Sequence, residues 1–185
     1  MREATILGRH LIVEGFRRVK FDNIETFFDQ IRSEAKGCHV QLFDARVIAG
    51  FDHLYFSVLN ALKAHDSGTG ISRDLAVETL LYASGQHQIG RAIELMGLKP
   101  GLSEVAVLVI SDTQQEAVKA LDRIADLLRG ERCEDVIELT DEKIELIKAA
   151  FDLTDLEIEA TLRESEKEAV TNLLIERAAL LATQR

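Results

Sequence analysis

The apolar run from Val105 to Ile110 most constrains what this chain can fold into. The run lies within SEVAVLVIS and is rich in β-branched valine. Nearly continuous apolar runs of this length are typical of strands that are buried on both faces of a sheet. We therefore expect a sheet with helices packed on its faces.

Capping patterns predict where those helices begin. Three residue pairs have the spacing of a capping box: Asp22 with Glu25, Thr113 with Glu116, and Thr154 with Glu157. Two further starts have the pattern of a hydrophobic staple: an Asp52 N-cap between Phe51 and Phe56, and Leu139-Thr140 with Ile144. From these starts we expect one helix up to Gly37, another up to about His65, and a long C-terminal helix.

The order of the elements predicts the fold class. Two segments that alternate polar and apolar residues, ATILGRHLIVEGF and HVQLFDARVIAG, predict additional strands. Strands interspersed with helices in this order predict an α+β fold, with a small mixed or antiparallel sheet flanked by several helices. The length of 185 residues suits a single domain. We expect a sheet-and-helix core over about residues 1–150 and a C-terminal helical element over about residues 154–183.

The charge of the chain limits its contacts with nucleic acid. The formal net charge is −10 at pH 7. Because Lys and Arg supply most of the non-specific affinity for phosphates, any RNA contact has to be local or assisted by a basic partner. The apolar runs are short, and the N-terminus does not have the pattern of a signal peptide. The sequence therefore predicts a cytoplasmic protein without membrane contact.

The sequence has no recognisable motif for a cofactor, a metal or catalysis. The segment SGTG follows a predicted helix and does not have the spacing of a phosphate-binding loop. Cys38 and Cys133 lie far apart, outside any CxxC pair, and the histidines do not have the spacing of metal ligands. We predict two free thiols and a protein without cofactor, metal site or catalytic residues.

A polar corner in the segment LLYASGQHQIGRAIELMG is the first candidate functional feature. An apolar run ends at Ser84-Gly85, and Gln86-His87-Gln88 opens a second apolar series. Three interpretations are open. Ser84 and His87 could belong to a small enzyme of unknown reaction, Ser84 could cap the following helix, or the free N–H groups of that helix could receive a phosphate or a nucleotide end. The stripe of the second helix consists of Ile89, Ala92, Ile93 and Met96.

The apolar face of the predicted C-terminal helix is the second candidate feature. Its members are Ile158, Leu162, Ala169, Val170, Leu173, Leu174 and Leu181. Such a face either covers the protein's own core or contacts a partner. Our candidate partner-binding residues are Leu162, Val170, Leu173 and Leu174, and the helix from Asp52 to His65 is the alternative surface.

Three segments together resemble one protein family. They are FDARVIAGFDHLYFSVLNALKA, ISRDLAVETLLYASGQHQIGRAIELMGLK and EVAVLVIS, which cover about residues 40–111. The chain is similar to the small KEOPS subunit of archaea and eukaryotes, the relatives of the human PRPK-binding protein. The residues that match the family's most specific motif are Glu78, Leu80, Leu81, Tyr82, Ser84, Gly85, Gln88, Ile89, Ala92 and Ile93; Asp44-Ala45, Ala49-Gly50 and His53 match its upstream signature.

The resemblance implies a non-catalytic subunit of the complex that makes threonylcarbamoyladenosine in tRNA. In that family the subunit binds the small atypical kinase/ATPase of the complex and helps to capture the 3′ CCA end of the tRNA. Relatives often carry a basic residue between the Ser-Gly and Gln-Ile of the motif, where this chain has Gln86 and His87. We therefore expect weak RNA binding by the chain alone.

The candidate RNA-binding residues follow from the motif and from the nearest cations. Arg91, one turn after the motif, and Arg73, at the start of the preceding helix, would supply the missing charge. The complete set is Ser84, Gly85, Gln86, His87, Gln88, Arg91 and Arg73.

Overall fold

An antiparallel sheet of five strands organises one part of the described fold. The computed structural model describes residues 1–20 and 23–183. The strands are β1 Arg2–Ile6, β2 Arg9–Arg17, β3 His39–Asp44, β4 Glu104–Ser111 and β5 Glu131–Arg132. Their order in the sheet is β1-β2-β4-β3, and β5 pairs with β2.

The predicted buried strand is β4, which lies between β2 and β3. Every residue from Val105 to Ile110 is 0% exposed. The segment ATILGRHLIVEGF forms a hairpin, because Leu7 and Gly8 have φ values of 50° and 81° and divide it into β1 and β2. Positive φ at both central residues is the geometry of a tight two-residue hairpin turn.

Eight helices among the described residues complete an α+β fold, as the sequence predicts. They are α1 Ile24–Ala35, α2 Phe51–Asp66, α3 Leu75–Ser84, α4 Ile89–Met96, α5 Gln114–Leu128, α6 Asp141–Ala150, α7 Asp155–Thr161 and α8 Glu166–Thr183. The 18-residue α8 is the long C-terminal helix.

The chain divides into two compact units, each built from two separate segments. Unit 1 comprises Met1–Ala45 and Gly97–Val136, and unit 2 comprises Arg46–Met96 and Ile137–Arg185. In unit 1, α1 and α5 pack against each other and against the sheet, and the apolar side chains of α5 are central to the core. In unit 2, α8 packs against α2, α3, α6 and α7. A single domain over residues 1–185 stays a prediction.

Two of the three predicted capping-box residues are the N-caps of helices in the structure. Thr113 and Thr154 accept hydrogen bonds from the N–H groups of Glu116 and Glu157, and Thr154 forms a complete capping box. Asn23 caps α1, whereas the predicted cap Asp22 lies outside the described residues.

The predicted Asp52 cap of α2 is wrong. The N-cap is Gly50, and its φ of 88° starts the helix before Asp52, which lies in the first turn. Both free thiols are confirmed, since Cys38 and Cys133 are unpaired and half-buried.

The C-terminal helical element is two helices rather than one. Leu162, at the end of α7, has an extended ψ of 125°, which ends the helix. Ser165 then starts α8, because its Oγ accepts a hydrogen bond from the N–H of Glu168 at 3.2 Å. The polar sequence RESEKE, residues 163–168, contains this break.

Gly15 on β2 permits a close approach of two backbone segments in unit 1. A Cβ at this position would lie 2.3 Å from the carbonyl oxygen of Cys133 and 2.5 Å from Cγ2 of Val136. The N–H of Cys133 donates to the carbonyl of Gly15 at 2.8 Å, which holds the two segments together.

We therefore expect Gly15→Ala to lower the free energy of unfolding by about 2 kcal/mol or more, since backbone has to move to admit the methyl group. The measurement is the denaturant midpoint. The control is Gly90→Ala in α4, where a Cβ meets nothing within 4 Å; it should stabilise by about 0.5–1 kcal/mol. Equal midpoints for Gly15→Ala and the wild type would contradict the steric argument.

Candidate functional site

The polar corner begins where Gly85 ends α3. Gly85 has a φ of 62°, and its N–H donates to the carbonyl of Tyr82 at 3.2 Å. The N–H of Gln86 donates to the carbonyl of Leu81 at 3.1 Å. These two bonds form a Schellman motif, which favours glycine in the left-handed conformation. The N–H groups of Gly85 and Gln86 are therefore already bonded within the protein.

Ser84 ends the preceding helix and does not cap the following one. Its hydroxyl donates to the carbonyl of Leu81 at 3.1 Å, and the residue is 2% exposed. The predicted cap is therefore wrong, because the hydroxyl faces back into α3. A catalytic nucleophile has to reach its substrate, and a buried, bonded hydroxyl does not favour the Ser84/His87 enzyme.

The exposed part of the corner runs from His87 to Arg91. The N–H of Ala92 donates to the carbonyl of Gln88 at 3.0 Å, so Gln88 lies at the start of α4. The N–H groups of the first turn have no partner within the helix, as at every helix start. This turn therefore offers backbone donors and the positive end of a short helix dipole to solvent.

Only half of the predicted stripe on α4 is buried. Ala92 and Met96 are 0% exposed, whereas Ile89 and Ile93 are 42% and 49% exposed. An apolar edge therefore lies beside the polar residues of the corner.

The structure separates the two candidate cations. Arg91 is exposed in the first turn of α4. Arg73 precedes Asp74, which caps the opposite end of α3 from Gly85. Because α3 has 10 residues, Arg73 lies about 15 Å from the Gly85 end of this helix at the usual rise per residue. Arg73 therefore does not join the corner.

A buried histidine in unit 2 joins the start of α2 to the end of α3. His53 is 0% exposed, and its Nδ1 accepts a hydrogen bond from the N–H of Ala49 at 3.3 Å. Its Nε2 lies 2.8 Å from the carbonyl oxygen of Ala83. Since a carbonyl only accepts, the imidazole is neutral with its proton on Nε2. Burial lowers the pKa of His53 to about 4.

A cavity of about 220 Å³ lies beside the corner, between Ser84–Gln86 and residues of α6, α8 and the loop after α6. Arg177 of α8 lines it and donates to the carbonyls of Phe151 and Asp152, and to the Glu157 carboxylate at 3.1 Å. Hydrogen bonds from Thr154, with Arg177 nearby, lower the pKa of Glu157 to about 2. This guanidinium is therefore occupied in holding α6, α7 and α8 together.

The predicted partner-binding stripe is largely core. Val170, Leu173 and Leu174 are 0%, 7% and 2% exposed, because α8 packs against four other helices of unit 2. Only Leu162, at 51% exposure, is on the surface. The structure therefore corrects the assignment of the three buried residues as surface contacts and supports the alternative, a face that covers the protein's own core.

The described part of the chain has neither a cluster of metal-ligating side chains nor a membrane-spanning helix. No group of three or more His, Cys, Asp or Glu residues there is placed to hold a metal ion. None of the helices in residues 1–20 and 23–183 is both long and apolar enough to cross a membrane.

Comparison with known proteins identifies the family. A sequence model of the family described as kinase binding protein CGI-121 matches residues 16–182.

The chain belongs to the CGI-121 family.

A relative named regulatory protein Cgi121, from Methanocaldococcus jannaschii, is 29% identical over 141 residues, which cover 76% of this chain and 83% of the relative. The resemblance inferred from the motif is therefore confirmed. Within the CGI-121 motif, Ser84 and Gly85 end α3, while His87, Gln88 and Arg91 form exposed surface. In the sequence His53 is recognisable only as part of the upstream signature, and its spacing gives no signal of the contact with Ala83, which is 30 residues away.

Stability should depend on pH through His53. The unfolded imidazole titrates near 6.5 and the folded one near 4, so the unfolded chain binds more protons between these values. The free energy of unfolding should therefore fall as the pH drops from 6.5 to 4, by about 3 kcal/mol in total. Urea midpoints measured across this range test the prediction.

His53→Gln is the matched control, because glutamine does not titrate and the other histidines remain. Its stability should vary less between pH 6.5 and 4 than that of the wild type. The carboxylates, including Glu157, whose pKa is 4.5 when unfolded and about 2 when folded, also begin to lose their stabilising effect in the lower part of this range, but their contribution is common to both proteins. Identical slopes would show that His53 is not buried in its neutral form.

Proposed function

We propose that this protein is a non-catalytic, cytoplasmic subunit of KEOPS that binds the small kinase/ATPase of the complex and helps to capture the 3′ CCA end of tRNA. The observation that carries the proposal is the match of residues 16–182 to the kinase binding CGI-121 family. The name of the Methanocaldococcus relative, a regulatory protein, supports a regulatory rather than a catalytic role. The buried hydroxyl of Ser84 agrees with this role.

The kinase contact is proposed on α7 in unit 2. Leu156 and Leu162 are 75% and 51% exposed, the largest exposures among the large apolar side chains described in this unit. Exposed apolar surface is a feature of protein–protein contact sites. Leu162 also belongs to the set that the sequence singled out for partner binding, and it is the member that remains on the surface.

Changing Leu156 and Leu162 together to Glu should weaken binding to the partner kinase by about 10-fold or more, because two apolar contacts would become charged. The measurement is calorimetric titration with the purified kinase. Because both side chains are exposed, the variant should unfold at the wild-type temperature.

The matched control is Leu146→Glu on α6, where the leucine is 44% exposed; it should bind normally. Leu173→Glu with Leu174→Glu is unsuitable, since both residues are buried and the protein should unfold. If the α7 variant binds like the wild type, the contact lies elsewhere, with α2 as the alternative surface.

The tRNA contact is proposed at the exposed corner. Because the net charge is −10, the chain has to hold RNA through local groups rather than a broad basic surface. The first turn of α4 offers backbone N–H groups to a phosphate, with Arg91 beside them. The side chains of Gln86, His87 and Gln88 can bond base edges, and the exposed Ile89 can pack against a base. Single-stranded RNA ends are commonly bound by such hydrogen bonds and packing.

Gly85→Glu should weaken tRNA binding while kinase binding persists, because it places bulk and negative charge where the RNA backbone passes. The expected loss is about 10-fold. The same loss should follow removal of the terminal CCA from the tRNA, and the two losses should not add. Affinities measured with both tRNA forms test this.

Gly68→Glu is the matched control. Gly68 also has a positive φ, 69°, and follows α2, and its Cβ would meet nothing within 4 Å. This variant adds the same charge and similar strain far from the corner, because its end of α2 lies roughly 20 Å from His53.

His87→Arg should have the opposite effect to Gly85→Glu: tRNA binding should become stronger, with a steeper salt dependence. If CCA removal changes nothing, the corner is not the tRNA site.

A further inference from the structure

The C-terminal end of α3 is completed by a side chain from another helix. The last carbonyls of a helix have no partner within it. Here the carbonyl of Leu81 accepts from Gln86 and Ser84, and that of Tyr82 accepts from Gly85. The next carbonyl, of Ala83, has the imidazole of His53 at 2.8 Å. The donor for the Ala83 carbonyl is therefore a side chain of another helix, His53 of α2.

The other side of the imidazole is fixed equally well. Nδ1 accepts from the N–H of Ala49, whose carbonyl in turn accepts from the hydroxyl of Thr171 on α8 at 3.1 Å. The His53 carbonyl accepts from Ser57 at 2.7 Å, and the ring makes an edge contact with Phe151, with centroids 6.0 Å apart. The ring therefore has little freedom to turn, and its position determines where the Ala83 carbonyl lies.

We propose that His53 is the positioning residue of the polar corner: it fixes the end of α3 and thereby the direction in which residues 85–88 leave the helix. The exposed residues of the corner begin at His87, four residues after Ala83. Of the three residues between Ala83 and His87, only Ser84 is buried. Their direction therefore follows from the end of α3. The RNA-binding part of this inference rests on the proposed function.

Two substitutions separate the two hydrogen bonds of the ring. In His53→Asn the amide oxygen can replace Nδ1 and accept from Ala49, but the side chain is too short to reach Ala83. In His53→Gln the amide nitrogen can replace Nε2 and donate to Ala83. The inference requires His53→Asn to disturb the corner and His53→Gln to preserve it.

The first readout needs no RNA. Amide hydrogen exchange of Gly85 and Gln86, whose N–H groups bond Tyr82 and Leu81, should become about 10-fold faster or more in His53→Asn, since a buried carbonyl loses its donor. In His53→Gln the two rates should stay near those of the wild type.

Thr79→Val is the control on the same helix. The Thr79 hydroxyl is buried and donates to the carbonyl of Leu75 at 2.8 Å, so this variant also loses a buried side-chain donor from α3. It should lower the melting temperature without changing exchange at Gly85 and Gln86. The inference would be overturned if Gly85 and Gln86 exchanged equally fast in His53→Asn and the wild type. It would also be overturned if Thr79→Val accelerated their exchange as much as His53→Asn does.

The second readout is affinity for tRNA that carries its CCA end. His53→Asn should bind about 10-fold more weakly while His53→Gln binds normally, because a corner that fluctuates has to be ordered on binding. If the exchange results hold and the affinity of His53→Asn is unchanged, the positioning role in RNA binding is overturned. If the wild type shows no dependence on CCA, the proposed function fails, whereas the exchange results still decide the role of His53.

A measurement on the wild type covers the case in which His53→Asn does not fold. Nitrogen chemical shifts of the His53 ring at neutral pH should show the tautomer with the proton on Nε2, and that proton should exchange slowly. A proton on Nδ1 would remove the donor to Ala83 and overturn the inference.

Discussion

The need to satisfy the peptide groups at helix ends governs unit 2. The described part of this unit contains six helices, most of them short, so a large share of its N–H and C=O groups lies at ends. Buried backbone groups without partners are costly. The partners are His53 for α3, the Thr154–Glu157 box for α7, and Arg177 for the end of α6. The arrangement of the helices follows from these few polar contacts as much as from apolar packing.

The parts of the fold that local patterns determine were predictable from the sequence. The strand from Val105 to Ile110 and the caps at Thr113 and Thr154 depend on residues within a few positions of one another. The errors lie where backbone geometry or distant contacts decide. Gly50 starts α2 through a positive φ that its neighbours in sequence do not predict. The break before Ser165 is not predictable from the local sequence, because no Gly or Pro marks a helix end there.

The candidate site was predictable only in its exposed half. The motif places Gly85, His87, Gln88 and Arg91 together because they are close in sequence. Arg73 is close in sequence too, but it lies at the N-terminal end of α3, whereas the corner follows the C-terminal end of this helix. The stripe on α8 looked equally suited to a partner and to a core. That choice depends on how much apolar surface the other helices of the unit leave uncovered, which a single amphipathic segment does not reveal.

Under the proposed function, an acidic chain has to bind a flexible RNA end, and such a chain gains most from a rigid contact surface. Few cations are available at the corner, so the electrostatic contribution to binding is small, and hydrogen bonds and packing have to supply the rest. Each of these is weak if the protein has to be ordered at the moment of binding. A neutral imidazole buried behind the corner meets this requirement without adding charge to the surface. A lysine or arginine in its place would carry a charge into the core, where its desolvation would oppose folding, and an apolar residue would leave the Ala83 carbonyl without a donor. Histidine can donate to one helix end and accept from the start of another while remaining uncharged at neutral pH.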